Sequence, residues 1–173
     1  EAVTQGCVLE RMQFTDAQLQ PISENLVGHF SWRSGLPFLA MHRNRLLNLL
    51  WRQVADQVHF NHPYTDLELN PEGARVRFAD GSSASADYVL AADGSQSLAR
   101  QRHIDPRPLR EAKQICWRGI ARTPLPYTYR RSLLEAWGPG RRFGFCQIDQ
   151  HDVYWYALID TEQSPPSAQA TPA

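Results

Sequence analysis

The sequence has few cysteines, almost no lysine and no long apolar run. Its three cysteines, Cys7, Cys116 and Cys146, are odd in number, widely spaced and include no CxxC pair. That excludes a disulfide scaffold and a cysteine-based zinc site, and it points to a reducing, cytoplasmic setting. Lys113 is the single lysine among 18 basic residues. Arginine suits bidentate contacts with phosphate and carboxylate, but codon bias in a GC-rich genome is the plainer source of the excess. Apolar stretches peak around residues 46–51, far short of the ~20 residues of a membrane helix, and no signal-peptide pattern is visible. Acidic residues also number 18, so the formal charge is zero. This removes the simplest argument for a nucleic-acid or membrane-surface partner. The absence of GxSxG, HExxH and P-loop patterns argues against hydrolase, zincin and NTPase chemistry. No metal site is expected, since His59, His62 and Asp66 lack a strong ligand spacing and read as a surface loop.

What is present is the mix of a globular chain with a core. Of 173 residues 42% are hydrophobic, 10% aromatic and 21% charged, enough for one domain or one and part of a second. Glu1 stands where a start methionine would, without a domain-start signal, and the chain reads as an internal fragment.

Val8 to Phe14 alternates like a half-buried strand. The polar stretch Thr15–Asn25 carries Pro21, and the apolar run Leu36–Met41 leads into His42-Arg43-Asn44. Leu46, Leu47, Leu49, Leu50 and Val54 recur at helical spacing with Asn44 as N-cap, and Arg45, Arg52 and Gln53 fall on the wet side. Val58–Phe60 reads as a short strand. Tyr64–Leu69 and Arg75–Phe78 alternate around the turn Asn70-Pro71-Glu72-Gly73, and Asp80-Gly81 marks a hairpin. Asp87–Ala92 is apolar throughout, as in a strand covered on both faces. After Pro106 and Pro108 come strands at Ile115–Ala121, Leu133–Trp137, Phe143–Ile148 and Val153–Ile159, read as an antiparallel meander. Residues 162–173 read as a disordered tail.

Asp93-Gly94 differs from Asp80-Gly81 in context. It follows a continuous apolar strand and precedes Ser97-Leu98-Ala99-Arg100, which can open a helical turn. In open α/β sheets, ligands sit beyond the carboxyl ends of such strands. A carboxylate there accepts from ribose or ribityl hydroxyls, and Gly94 lets backbone approach a pyrophosphate. A plain strand-end turn explains the same pair about equally well.

The block Tyr88-Val89-Leu90-Ala91-Ala92-Asp93-Gly94-Ser95-Gln96-Ser97-Leu98-Ala99-Arg100 resembles the DGxxSxxR motif of the flavoprotein aromatic hydroxylases. These are the FAD-dependent monooxygenases of the para-hydroxybenzoate hydroxylase type. Arg43 with Leu46 and Leu50 resembles that family's RxxL helix opening. Cys116-Trp117-Arg118-Gly119 is similar to the WRG strand of salicylate hydroxylase-like and zeaxanthin epoxidase-like members. Trp137-Gly138-Pro139-Gly140-Arg141-Arg142-Phe143-Gly144, followed by Tyr154-Trp155, resembles their substrate-domain hairpin. Two family features, GxGxxG and the later GD motif, are not in the chain, and Ala91 stands where glycine is usual.

The resemblance implies an α/β fold: the middle portion of that flavoprotein, with an FAD-domain segment and a mixed or antiparallel substrate-domain sheet. Residues 1–41 and 108–161 would build the sheet and residues 42–107 the FAD segment. The implied reaction uses NADH or NADPH and O2 to insert one oxygen atom into a small aromatic or unsaturated substrate, by way of a flavin C4a-hydroperoxide. Without its missing motifs the chain alone is expected to be inactive. The implied FAD contacts are Arg43, Asp93, Gly94 and Arg100, with Tyr64 as a further candidate. Trp117, Phe145 and Trp155 are candidate substrate-pocket residues, although strand aromatics more often pack a sheet face. A halogenase or reductase of the same superfamily, and a non-catalytic binding module, are the alternatives.

Overall fold

Alternating side chains in the C-terminal half yield four long strands in the computed structural model, which describes residues 1–28, 34–71 and 73–163. They are β8 (Gln114–Arg122), β9 (Ser132–Gly138), β10 (Arg141–Gln147) and β11 (Asp152–Asp160). The turn Gly138-Pro139-Gly140 joins β9 to β10, with Gly140 in the left-handed region at φ +60. Asp149 closes the next turn, its carboxylate accepting from the backbone N–H groups of His151 and Asp152, both at 2.8 Å. The arrangement is not a simple meander. β8 lies outside β11, so the order along this part of the sheet is β9-β10-β11-β8.

Two N-terminal strands complete this six-stranded sheet. β2 (Arg11–Asp16) pairs parallel to β9, and β3 (Pro21–Leu26) pairs antiparallel to β2 at the edge. The stretch read only as polar is therefore an edge strand, exposed along its length. It begins with its proline, whose missing N–H costs an edge strand little. The alternation expected from Val8 is broken: Cys7–Val8 forms a short strand, β1, paired with β4 (Leu39–Ala40), and β2 starts only at Arg11. Between them Leu9 turns inward and joins Val27, Cys146 and Ile148 in a buried cluster. Burial first, then the neighbouring Cys7, pushes the Cys146 thiol up to about 11, which makes it an inert core residue.

The helix α2 (Arg43–Val54) follows a one-turn α1 (Ala2–Gln5) in chain order among the described residues. Its cap is His42 rather than Asn44: His42 Nδ1 accepts the Asn44 N–H at 3.1 Å, and the His42 carbonyl accepts from Arg45 and Leu46. Arg45 is not on a wet side either. Its guanidinium reaches Asp149 Oδ2 at 2.6 Å and the Gln5 carbonyl at 3.2 Å. No residue of α2 is buried.

Sheet and helix belong to a compact unit of Glu1–Gln53 with Lys113–Ala173, while Val54–Ala112 forms a second. The second unit holds an antiparallel sheet of β5 (Tyr64–Asn70), β6 (Gly73–Phe78) and β7 (Ser83–Ala86), with the expected Asp80-Gly81 hairpin. Gly81 takes φ +84 there, and Asp80 accepts from the Ser82 N–H. Val58–Phe60 is irregular: three residues before Pro63 are too few to build a ladder. The apolar segment 88–92 is likewise not a strand. It pairs with no strand among the described residues, and Tyr88 and Leu90 are 88% and 95% exposed. Apolar character alone does not make a strand, which needs a neighbour for its backbone groups. The helical turn expected after Gly94 is α3 (Leu98–His103). Of the tail expected at 162–173, Glu162 and Gln163 instead end a short 3-10 turn, Thr161–Gln163, and residues 164–173 lie outside the described residues, as does Glu72 of the 70–73 turn.

Candidate functional site

In the second unit, Tyr64 and Asp93 line one cleft of about 1100 Å³, together with His103 and the apolar side chains of Leu67, Val76 and Leu90. Tyr64 opens β5, and its ring meets His103 of α3 edge-on, with centroids 6.4 Å apart. The Tyr64 hydroxyl is buried and has no hydrogen-bond partner among the described residues. Burial, then the Asp66 and Asp93 charges, raise its pKa, so it is a neutral donor at physiological pH.

Asp93 sits at the start of α3. The Ser97 hydroxyl hydrogen-bonds its carboxylate, backbone N–H groups of Leu98 and Ala99 add to it, and together these lower its pKa. Ser97 Oγ in turn accepts from the Arg100 N–H at 3.0 Å as the N-cap. Asp93 is thus an ionised acceptor whose orientation is already set. Gly94 takes φ +84, and a Cβ there would meet nothing within 4 Å. Its glycine is therefore required by the backbone conformation, and the space beside it is open. Arg100 stands apart from this cleft: its Nη1 donates to the carbonyls of Asp105 and Arg107, at 2.9 and 3.2 Å, and it lines a separate groove. Arg102 and His103 tie α3 to β5 through Thr65 and Asp66.

In the first unit, the register of the large sheet sorts its side chains by face. Trp117, Phe145 and Trp155 share one face, since Phe145 is opposite Trp155 and Trp155 opposite Gly119. Phe143 joins them, stacked on Trp155 at 6.4 Å. Gly119 is required by this packing: a Cβ would lie 2.7 Å from the Trp155 indole. At the β9–β10 end, Trp117 and Phe143 border a cavity of about 450 Å³ floored by Ala136 and Ala157. Of the three candidate pocket residues, only Trp117 reaches this cavity.

The opposite face carries a group that sequence reasoning missed. Glu135, 8% exposed, accepts hydrogen bonds from the Trp137 indole, the Tyr156 hydroxyl and, at 3.3 Å, Arg142 Nη1. Burial first, then the Glu135 hydrogen bond, raise the Tyr156 pKa. Gly144 lies inside β10 with the Tyr156 ring packed over it. A lone acid within the apolar run Leu133-Leu134-Glu135-Ala136-Trp137 was the available signal.

Arg43 opens α2 with its side chain exposed and makes no ion pair among the described residues. Its first turn is fixed by the Arg45–Asp149 contact. Partial burial would raise the Asp149 carboxyl, but the His151 and Asp152 N–H groups and the Arg45 guanidinium outweigh it and hold the pKa at about 2. A folded value below the unfolded ~3.9 means stabilisation present above about pH 4 and lost as pH falls through about 2. Thermal melts of wild type and Asp149→Asn from pH 6 to pH 2 should therefore show a gap that closes only at the acid end.

A family model described as flavin containing amine oxidoreductase matches residues 33–125, more than half of the chain. The chain belongs to this family. Two curated relatives are named a monooxygenase/isomerase and an FAD-dependent hydroxylase. The aurachin C monooxygenase/isomerase of Stigmatella aurantiaca is 31% identical over 140 residues, which are 80% of this chain and 36% of the relative. The FAD-dependent urate hydroxylase of Klebsiella pneumoniae is 41% identical over 102 residues, 58% of this chain and 27% of the relative. A solved variant of Klebsiella pneumoniae HpxO complexed with FAD superposes with a TM-score of 0.77 at 24% identity, covering 95% of this chain and 44% of that one. That likeness carries the fold, and the α/β flavoprotein architecture read from sequence stands. The chain spans about a quarter to a third of the length of the curated relatives it matches. No described helix of this flavoprotein segment is long and apolar enough to cross a membrane.

Proposed function

We propose that the chain is the middle part of an FAD-dependent monooxygenase, which adds one oxygen atom from O2 to a small aromatic or unsaturated molecule with NADH or NADPH as reductant. The observation that carries this reading is the alignment of 80% of the chain, at 31% identity, with a protein named a monooxygenase/isomerase, in a chain whose family model is that of a flavin containing oxidoreductase. Residues 42–107 are assigned to the flavin domain, and residues 1–41 with 108–161 to the substrate sheet.

The residues present fit a flavin dinucleotide. Tyr64 offers a buried hydroxyl without a partner among the described residues, in one cleft with an ionised Asp93, which the open space at Gly94 follows in the chain. When bound, FAD supplies the electron transfer and oxygen activation that no side chain can provide. Asp93 would accept from the cofactor's hydroxyls, Tyr64 would donate to its polar groups, and Arg43 would supply it with a positive charge. Trp117, Phe145 and Trp155 present an aromatic face that excludes water from an apolar substrate. Arg100 is assigned to holding the 105–107 loop rather than to a phosphate.

The test is oxygen transfer by the full-length protein. Under ¹⁸O2, a hydroxylated or epoxidised product carrying one ¹⁸O is expected, and NAD(P)H oxidation that yields only hydrogen peroxide with every aromatic substrate offered would refute the reading. Asp93→Ala should weaken FAD binding at least tenfold, read by flavin-fluorescence titration, because a preoriented charged acceptor is lost.

A further inference from the structure

The side chain of Arg43 has no ion pair among the described residues, so its position is inherited from the backbone of the first turn of α2. That helix buries none of its residues against the sheet. What fastens its start is polar. His42 caps Asn44 from one side, and the Arg45 guanidinium bridges the Gln5 carbonyl and Asp149 Oδ2 from the other. Asp149 is a rigid anchor. Its Oδ1 takes the His151 and Asp152 N–H groups, and its carbonyl takes Gln147 Nε2 at 2.6 Å. The anchor belongs to the β10–β11 turn, between the strands that carry Phe145 and Trp155.

We propose that Asp149 is a positioning residue for Arg43: through Arg45 it locks the helix that presents Arg43 onto the turn of the aromatic sheet, and so fixes the place of the flavin-contacting guanidinium relative to the substrate face. The proposal rests on the reading of Arg43 as a cofactor contact. A misplacement of about 1 Å in such a group is enough to cost much of its effect. The other charged and titratable groups around Asp149 are Cys7, Arg122, His151 and Asp152. Arg45 is the α2 residue that pairs with Asp149.

The experiment is a double-mutant cycle on the full-length protein, read as the dissociation constant for FAD from flavin-fluorescence titration. Arg43→Ala is expected to weaken FAD at least tenfold. Asp149→Asn, which keeps an oxygen for the turn's N–H groups but loses the charge, is expected to weaken it three- to tenfold. Arg45→Gln breaks the same pair from the other side and should match it, whatever the folding of the first variant. The decisive arm is Asp149→Asn placed in the Arg43→Ala background, where it should have no further effect on FAD, although it still lowers the melting temperature of the apoprotein. A structural role alone gives additive losses of affinity in both backgrounds. Additive losses, or unchanged FAD binding in both Asp149→Asn and Arg45→Gln while Arg43→Ala binds poorly, would overturn the proposal. Unchanged binding in Arg43→Ala would instead overturn the reading of Arg43 itself, and the proposal with it.

Discussion

Gly144→Ala is expected to destabilise the six-stranded sheet by about 3 kcal/mol or more, enough to leave a marginally stable chain largely unfolded at 37 °C. A Cβ at this position would lie closer than 3.0 Å to Cζ, Oη and Cε1 of Tyr156. Those atoms are not the loose end of a flexible side chain. The Tyr156 hydroxyl is tied to Glu135, and the ring lies beside Tyr154 at 5.9 Å. Relief would require the ring to leave its bond or β10 to move from β9 and β11, with both of which Gly144 is paired. Urea denaturation measures the loss. Replacing Tyr156 by alanine in the Gly144→Ala background should recover part of it, since the two changes share one contact. An alanine at Gly144 that costs less than about 1 kcal/mol would mean that the ring has room to move.

Glu135→Ala carries the second large effect, an expected loss of about 2–4 kcal/mol. A buried carboxylate in a strand is costly by itself, and here three donors satisfy it: the Trp137 indole, the Tyr156 hydroxyl and Arg142. Alanine would leave the first two facing an apolar sheet surface without an acceptor. Arg142 is 41% exposed and would return to water, so most of the cost falls on the two aromatic donors. Glu135→Gln should lose less, because one oxygen remains to accept from Trp137. Tyr156 adds a signature in pH. Its folded pKa is raised, so the stability linked to its proton is complete below about pH 10 and is lost at higher pH. Tyr156→Phe should flatten that alkaline limb, which melting curves between pH 8 and pH 11 would record.

The parts of the fold that follow from local pattern were legible. β8 to β11 are written in alternation and punctuated by Gly138-Pro139-Gly140 and Asp149, and β5 to β7 by Asp80-Gly81. Where structure departs from the sequence reading, the deciding interaction is distant along the chain. Residues 21–26 are polar enough to pass for a loop, and become a strand because β2 supplies a ladder. Residues 88–92 are apolar enough to pass for a strand, and are not one for want of a ladder. His42 displaces Asn44 as cap through a ring nitrogen that capping preferences do not weigh. Asp93 and Gly94 stand out in the sequence as candidates from their place after an apolar run, and the structure brings Asp93 into one cleft with Tyr64. The role of Arg45 does not stand out, because its partner Asp149 lies more than a hundred residues away. Glu135 was hidden for the same reason, since its donors Arg142 and Tyr156 lie on two other strands.

The parallel seam between β2 and β9 has a consequence for biosynthesis. Arg11 pairs with Ser132 and Asp16 with Trp137, so the hairpin of β2 and β3 finds its neighbour only after the ribosome has made the more than one hundred residues between them. At roughly 5–20 residues per second that is a wait of about 6 to 23 seconds. During it, one edge of β2 offers unpaired N–H and C=O groups to any strand nearby. Closing so long a loop late also makes the step slow. The nascent chain is thus most vulnerable to mispairing before β9 emerges, and chaperone dependence should be set by this seam rather than by the hairpins on either side.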